Sequence, residues 1–439
     1  MDAMKPSPLA HRFYFDAFAI DIERGKVAYT YTTDAGHRFV HELGYTFPDG
    51  TNPETLRPAA FALGLAELAG FWKAILAPEI VIKAGRLLPE QIAFWENLYT
   101  QGLGEFFYVN KIDFRGLVHV VGDPQAPDIL PVQSIPNGPR RALVPFGGGK
   151  DSLVTGELLK KQEKAFSWFE LEPLPFGPRL REVSGVTDCV SVRRDVAKNF
   201  APVMELVKRG APNGHVPITA TYMMSAVLAA QANGFTDIIP SLERSASEGN
   251  VEYLGQNINH QYSKSYEFEK MAAEYVRKYV NPGIRLFSLI RPLYELQVVR
   301  RFIEYPQYFP YFVSCNRGLK TGSWCGECAK CAFMFGALSA FLAPNTVFNI
   351  FRKNLFEDAA LIPLFEELIG MHEGKPFDCV GTFKENLLAL YLSAKQYSDA
   401  GLPLPAVLAA LPIMEGGAYL PMLSETTGEH GIPADYHQP

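Results

Sequence analysis

The sequence predicts an α/β fold: a central parallel sheet flanked by helices, with an N-terminal β-rich plus helical region before it and a helical C-terminal region after it. Three observations carry this prediction. From Arg141 onward, apolar runs of five or six residues (ALVPF, AFSWF, DCVSV, DIIPS, IRLFSL) alternate with helical segments, the pattern of βαβ units whose sheet is covered on both faces. The first run leads into Gly147-Gly148-Gly149-Lys150-Asp151-Ser152 and then an amphipathic helix, a strand-to-helix turn of the kind where such sheets bind ligands. Residues 12–48 instead alternate apolar and polar side chains between Gly-containing breaks, which reads as antiparallel strands.

In chain order, residues 12–48 predict a small antiparallel meander. Between 57 and 104 the period becomes helical: apolar residues recur at three- and four-residue spacing from Ala59 to Leu76, and again from Pro89 to Tyr99. Asp123–Pro139 holds five prolines and few core-forming residues, which sets the predicted boundary. The expected regions are therefore 1–138, the β meander plus helices; 139–345, the parallel-sheet domain; and 346–439, helical with a tail. Residues 329–413 read as mostly helical, and the polar tail from Ser424 is expected to be loose.

At 439 residues the chain has material for two or three packed units. With 48% apolar and 20% charged residues it lies in the globular range and away from disorder. A net charge of −6 gives no global positive field, so a nucleic-acid partner is not expected. Arg179, Arg181, Arg193 and Arg194 read as a solvated polar face. MDAMKPSPLAHRF lacks the apolar core of a secretory signal, and Thr219–Gln231 and Cys331–Pro344 are too short or too polar to span a bilayer. The expectation is a cytoplasmic protein with no membrane partner.

Leu143–Leu159 is the most informative segment. Gly147, Gly148 and Gly149 let the backbone turn sharply so that consecutive N–H groups face phosphate oxygens, and the helix N-terminus adds its partial positive charge. Lys150 can neutralise phosphate charge, Ser152 can donate a hydrogen bond, and Asp151 suits a Mg²⁺ or N-cap role. A Gly-rich turn alone makes only a tight connection; Lys-Asp-Ser at the helix head favours phosphate. No Walker A pattern is present. The segment resembles the SGGxDS signature of the PP-loop ATP pyrophosphatases, with Gly147 in place of the first Ser. That resemblance implies the PP-loop (adenine nucleotide α-hydrolase-like) fold, ATP and Mg²⁺ as cofactors, and adenylation of a substrate with release of pyrophosphate.

Three polar stretches lie between apolar elements: Asn213–Thr219, Ser241–Asn250 and Asn257–Lys264. The second follows the run DIIPS, where a parallel sheet places a ligand loop. In the first, Asn213 or Thr219 can simply cap the helix carrying the stripe Ala220, Met223, Met224, Val227 and Leu228. Together they offer Glu243, Arg244, His215, His260 and Lys264 to one site. GGGKDS, NGHVPIT, ERSASEGN and NHQYSKS in this order resemble the MurL family, the UDP-N-acetyl-α-D-muramoyl-L-alanyl-L-glutamate epimerases. The resemblance covers about Arg141–Cys331 and, more weakly, the N-terminal β region. It implies ATP-dependent inversion of the terminal L-Glu of UDP-MurNAc-L-Ala-L-Glu, with an L-Glu-adding Mur ligase as functional partner. Glu243, His215, His260 and Lys264 are then the acid/base and carboxylate-binding candidates, and Arg244 helps to hold charge.

Cys315, Cys325, Cys328 and Cys331 give C-x9-C-x2-C-x2-C, a spacing that closes a tetrahedral Zn²⁺ site; free buried thiols, Fe–S ligation and redox chemistry are the other readings. The cluster resembles the zinc site of the 7-cyano-7-deazaguanine synthases, which implies a structural zinc clamping a loop near the active site. Cys189 and Cys379 stand apart in apolar sequence. The competing functions are a deazaguanine-type nitrile or amide synthase, and a module that binds ATP without turning it over.

Overall fold

The computed structural model describes residues 3–133 and 139–436, so residues 134–138 of the Pro-rich boundary lie outside the described residues. The N-terminal alternation folds into a larger sheet than the predicted meander. Strands β1 (Arg12–Asp21), β2 (Lys26–Thr33) and β3 (Arg38–Gly44) are antiparallel, while β4 (Glu79–Ile82) and β5 (Val120–Gly122) extend the sheet in parallel beyond β1. Because alternate strand residues share a face, Phe13, Phe15, Val27, Tyr29, Tyr31, Phe39 and Leu43 are all buried together.

Helix α1 (Pro53–Trp72) covers that face. Asn52 caps it by accepting from the Glu54 N–H, and Pro53 opens it with a preset φ. Gly64 permits the close approach: a Cβ there would stand 2.5 Å from the Phe15 ring, and Tyr31 Oη donates to the Gly64 carbonyl at 2.7 Å. Helices α2 (Pro89–Gln101) and α3 (Gly104–Val109) follow. On the far side of α1 packs helix Ile218–Asn233, which in turn covers one face of the central sheet. Held between two layers, both helices are buried on nearly every side.

The central sheet contains all five predicted runs as β6 (Ala142–Pro145), β7 (Phe166–Leu171), β8 (Cys189–Val192), β9 (Asp237–Ile238) and, after a hairpin of β10 (Val251–Tyr253) and β11 (Gln256–Ile258), β12 (Arg285–Leu286). Its order is β12-β9-β6-β7-β8 and every pair is parallel. The chain runs outward from β6 through β7 to β8, then returns to β9 on the other side of β6. The connections therefore leave β6 and β9 in opposite directions, the switch point where open α/β sheets bind ligands. α4 (Lys150–Lys161) and helices Glu295–Phe302, Ala329–Ser339 and Phe383–Asp399 build a second core on the other face.

Buried charge ties the N-terminal sheet to the central one. Arg194, just after β8, makes a two-pronged pair with Glu67 of α1 at 2.9 and 2.6 Å, and His41 of β3 lies 3.2 Å from the same carboxylate. Burial alone would raise the Glu67 pKa, but Arg194 and His41 outweigh it and hold the carboxyl well below its ordinary value. The arginine cluster is thus not one solvated face: Arg179, Arg181 and Arg194 each pair with a carboxylate, and Arg194 is buried. Nor is the described part of the tail loose where it reaches Asp435 and Tyr436. Tyr436 is buried and its hydroxyl donates to Asp237 at 2.8 Å, while Asp435 pairs with Arg285 at 2.7 Å. Among the described residues no helix is long and apolar enough to cross a membrane.

Candidate active site

From Pro145 the chain turns through Phe146-Gly147-Gly148-Gly149 into α4. Gly148 has φ +69°, and a Cβ on it would stand 2.5 Å from the Phe176 ring, so conformation and space both require glycine. Gly149 is the N-cap of α4 and supplies no side chain to its first-turn N–H groups. A glycine turn opening a twelve-residue helix with those donors uncapped can cradle an anion. At Gly147 an added Cβ would meet nothing within 4 Å, so a small side chain would fit there. Ser152 Oγ donates to the Gly149 carbonyl at 3.1 Å and steadies the turn.

Lys150 is fully buried and donates to Asp151 at 2.7 Å and to Glu295, at the start of helix Glu295–Phe302, at 2.8 Å. Burial opposes its charge, but Asp151 and Glu295 more than offset that and hold the ammonium well above the usual lysine range. Three carboxylates share this cation. Burial and the nearby Asp151 raise Glu243, and burial with Asp151 and Glu243 pushes Glu295 up to about 7 despite Lys150. Asp151 stays low against burial because Lys150, Lys330 and Lys264 surround it.

The three polar stretches meet beyond the carboxyl end of β9. Asn250 accepts the His260 N–H at 2.8 Å, Asn259 donates to the Ala246 carbonyl at 2.9 Å, and the His215 and His260 rings lie 4.6 Å apart. Both imidazoles turn Nδ1 toward Glu105 Oε2 of α3, His215 at 3.2 Å and His260 in a short hydrogen bond. Burial, then the cationic His260 and Lys73, push His215 down to about 3. His260 is lifted to about 9 against burial by Cys379 and Glu105. Two adjacent rings therefore hold opposite protonation states at neutral pH. Glu105, His215 and His260 are close enough together to hold a metal ion; His260 Nδ1 is hydrogen-bonded to the Glu105 carboxylate, and His215 Nδ1 lies 3.2 Å from the same oxygen.

Lys264 Nζ lies 3.1 Å from Cys379 Sγ, and Lys330 donates to the Cys379 carbonyl. Cys379 is thus not in apolar surroundings, as its sequence suggested. Nor does Arg244 join this group: it stacks over Tyr294 with its guanidinium 4.3 Å from the ring centroid and lies 3.7 Å from Glu425. The arginine that does reach this group is Arg291, which the sequence did not single out. Fully buried, it donates to the Glu243 and Lys264 carbonyls at 2.5 and 2.7 Å while paired with Glu269. The capping reading of Asn213–Thr219 is also not realised, because Pro217 is the N-cap of helix Ile218–Asn233 and no side chain caps it.

The four clustered cysteines are unpaired thiols with sulfurs within 4.8 Å of one another, the Cys315–Cys328 and Cys325–Cys331 distances being 3.8 and 3.6 Å. Ligands 2.3 Å from a tetrahedral zinc stand about 3.8 Å apart, so the cluster fits a zinc ion. Its loop also braces the glycine turn: a Cβ on Gly149 would stand 2.9 Å from Ser314 Oγ, next to Cys315.

The MurL N-terminal domain family matches residues 4–289 and the MurL C-terminal domain family residues 311–411. The chain belongs to the MurL family. Among its relatives, the UDP-N-acetyl-alpha-D-muramoyl-L-alanyl-L-glutamate epimerase of Xanthomonas oryzae pv. oryzae (strain MAFF 311018) is 34% identical over 88% of this chain and 86% of its own length. The enzyme of the same name from Micromonospora sp. (strain ATCC 39149 / NRRL 15099 / SCC 1413) is 30% identical over 97% and 96%. No solved structure matches. The MurL N-terminal match holds the glycine turn, Glu105 and both histidines; the C-terminal match holds the cysteine cluster and Cys379. Sequence reasoning missed Glu105, Arg291, Glu295, Lys330 and Cys379. Only Lys330 carried a signal, its place between Cys328 and Cys331.

Proposed function

We propose that this MurL protein is an ATP-dependent epimerase that converts the terminal L-Glu of UDP-MurNAc-L-Ala-L-Glu to D-Glu through an acyl-adenylate, releasing AMP and diphosphate for peptidoglycan precursor synthesis. One observation carries the reading: an uncapped glycine turn, suited to pyrophosphate, opens α4 at the switch point beside the Glu243, Lys264 and histidine cluster. The substrate class follows the names of the relatives.

The chemistry needs both halves. A carboxylate disfavours loss of its α-proton, because a second negative charge would form beside the first. Attack of a carboxylate oxygen on the α-phosphorus of ATP, with diphosphate leaving, makes a neutral acyl-adenylate whose α-C–H a positioned base can ionise. Gly147–Gly149 and Ser152 hold the leaving diphosphate, and Lys150 fixes Asp151 beneath it. Mg²⁺, which Asp151 would help to hold, screens phosphate charge. Glu243, His215, His260 and Lys264 are the acid/base and carboxylate-binding groups. Reprotonation on the opposite face inverts the centre, and water releases AMP. Zinc on the four cysteines is structural.

Residues 1–138 form the substrate-recognition region in this reading, supported by Glu105 and by Lys73, which donates to the Gly214 carbonyl beside His215. The UDP-sugar is its expected ligand. The preceding step is an ATP-dependent ligase adding L-Glu, and the compartment is the cytoplasm. The test is incubation with ATP, Mg²⁺ and the UDP-MurNAc-dipeptide in D₂O. Dipeptide-dependent AMP and D-Glu deuterated at Cα support the reading; ATP breakdown without α-exchange would sink it and favour an adenylating synthase.

A further inference from the structure

The carboxylate and imidazole candidates leave one reactive side chain unused. Cys379 follows an irregular stretch and precedes helix Phe383–Asp399, far in sequence from the other motifs, yet two distant segments converge on it, the stretch carrying His260 and Lys264 and the first turn of helix Ala329–Ser339. Lys264 from the loop before Tyr266 points its ammonium at the sulfur at 3.1 Å. His260, whose Nδ1 is hydrogen-bonded to Glu105, stands near enough to the thiol to favour its ionised form. Lys330 fixes the backbone by donating to the Cys379 carbonyl, and Asp378 accepts the Cys379 N–H at 2.9 Å. Asn250 joins the two sides, accepting from the His260 N–H and donating to the Pro376 carbonyl, at 2.8 Å each.

This is the logic of an activated thiol: a reactive group, a partner base and a carboxylate that orients the base. We propose that Cys379 takes the α-proton of the adenylated glutamyl residue as a thiolate, with the His260–Glu105 pair and Lys264 as positioning residues that keep its negative charge. The Cα–H bond breaks, an S–H bond forms, and the electron pair moves into the adenylated carbonyl. The pair then returns to Cα and takes a proton from a protonated group of the cluster on the opposite face; the thiol loses its proton to solvent, and the donor regains one from solvent. The ion-paired environment suits the role: burial opposes the thiolate, but Lys264, His260 and Lys330 outweigh it and bring the thiol down to about 6. Such a group is ionised at neutral pH and still basic enough to accept a proton from an activated carbon.

This proposal rests on the acyl-adenylate reading, and its test separates the two. Wild-type protein, Cys379→Ala and Cys379→Ser are each given ATP, Mg²⁺ and the L-Glu dipeptide in D₂O, and deuterium gained at Cα is divided by AMP released. The expected result is a ratio about 100-fold or more below wild type in both variants, the range for loss of a general base. In parallel, intact wild-type protein is treated with iodoacetamide from pH 5 to 9 and alkylation of the Cys379 peptide is followed by mass. The rate should rise through about pH 6 and then level, and saturating dipeptide with ATP should slow it. A ratio within threefold of wild type, or Cys379 alkylated at the same rate with and without substrate, overturns the proposal. Wild-type protein that forms no AMP with the dipeptide overturns the acyl-adenylate reading instead.

Discussion

Replacing Lys150 with Met tests whether the buried cluster is organised by this one ammonium. The substitution keeps most of the volume and removes the only cation hydrogen-bonded to Asp151 and Glu295 among the described residues. Breaking a buried pair by removing one partner typically costs about 3 to 5 kcal/mol, because a charge is left without compensation. The cost should depend on pH in a definite direction. Glu295, raised to about 7 from an unfolded value near 4.5, binds more proton in the folded state, so folding loses stability as pH rises through that interval. In wild type the loss stops near pH 7, where Glu295 ionises against Lys150. In the variant Lys330 still favours ionisation but Lys150 no longer does, so Glu295 stays protonated to higher pH and stability continues to fall by up to about 1.4 kcal/mol per pH unit above 7. Urea unfolding of both proteins at pH 6, 7 and 8, followed by far-UV circular dichroism, measures this. The variant should lose midpoint at every pH and lose more at 8 than at 7. A Lys150→Met protein as stable as wild type at pH 8, or a gap that narrows with rising pH, would refute the shared-cation account. Lys150→Met with Glu295→Gln should recover part of the loss at pH 8 while leaving AMP formation impaired.

Gly148→Ala places a Cβ at φ +69° and 2.5 Å from Phe176, so it should cost about 1 to 3 kcal/mol and lower AMP formation at least tenfold; Gly147→Ser, which meets nothing within 4 Å, should leave both within a few-fold of wild type. Atomic absorption on protein purified without chelator should find one zinc per chain, and Cys328→Ser should lower both zinc content and melting temperature. Because Ser314 lies against Gly149, that variant should also raise the apparent KM for ATP. Tyr436→Phe removes a 2.8 Å hydrogen bond to buried Asp237 and should cost about 1 to 3 kcal/mol, read as a lower unfolding midpoint, with AMP formation at 25 °C unaffected; an unchanged midpoint would show that this contact does not hold the tail to β9.

The elements most legible in the sequence are those whose signal is local. Five apolar runs from Ala142 to Leu286 gave all five central strands, because a parallel strand buried on both faces needs an unbroken apolar run. The alternation Phe13, Phe15 and Val27, Tyr29, Tyr31 gave the meander for the same kind of reason. β4 and β5 were not read because they are four and three residues long, too short to show a period. The tail was misread because polarity near a terminus suggests disorder, and nothing local to Asp435 and Tyr436 shows that Arg285 and Asp237 await them.

The site divides along the same line. Gly147–Ser152 could be read because glycine conformation, the helix terminus and the adjacent hydroxyl all act within one turn. The pairings that set its charge are long-range: Lys150 to Glu295 spans 145 residues, Glu105 to His260 spans 155, and Lys264 to Cys379 spans 115. A carboxylate such as Glu295 at the start of an amphipathic helix, or a cysteine such as Cys379 after an irregular stretch, has no periodicity of its own. Its chemistry depends on which loops the strand order brings together. Once β9 is known to return beside β6, however, the loop after each must face the same crevice, and a buried ionisable residue reaching that crevice becomes a candidate whatever its sequence context. Cys379 meets that criterion and Cys189 does not: Lys264, His260 and Lys330 lower the first thiol, whereas burial and the neighbouring Glu170 push the second up to about 11.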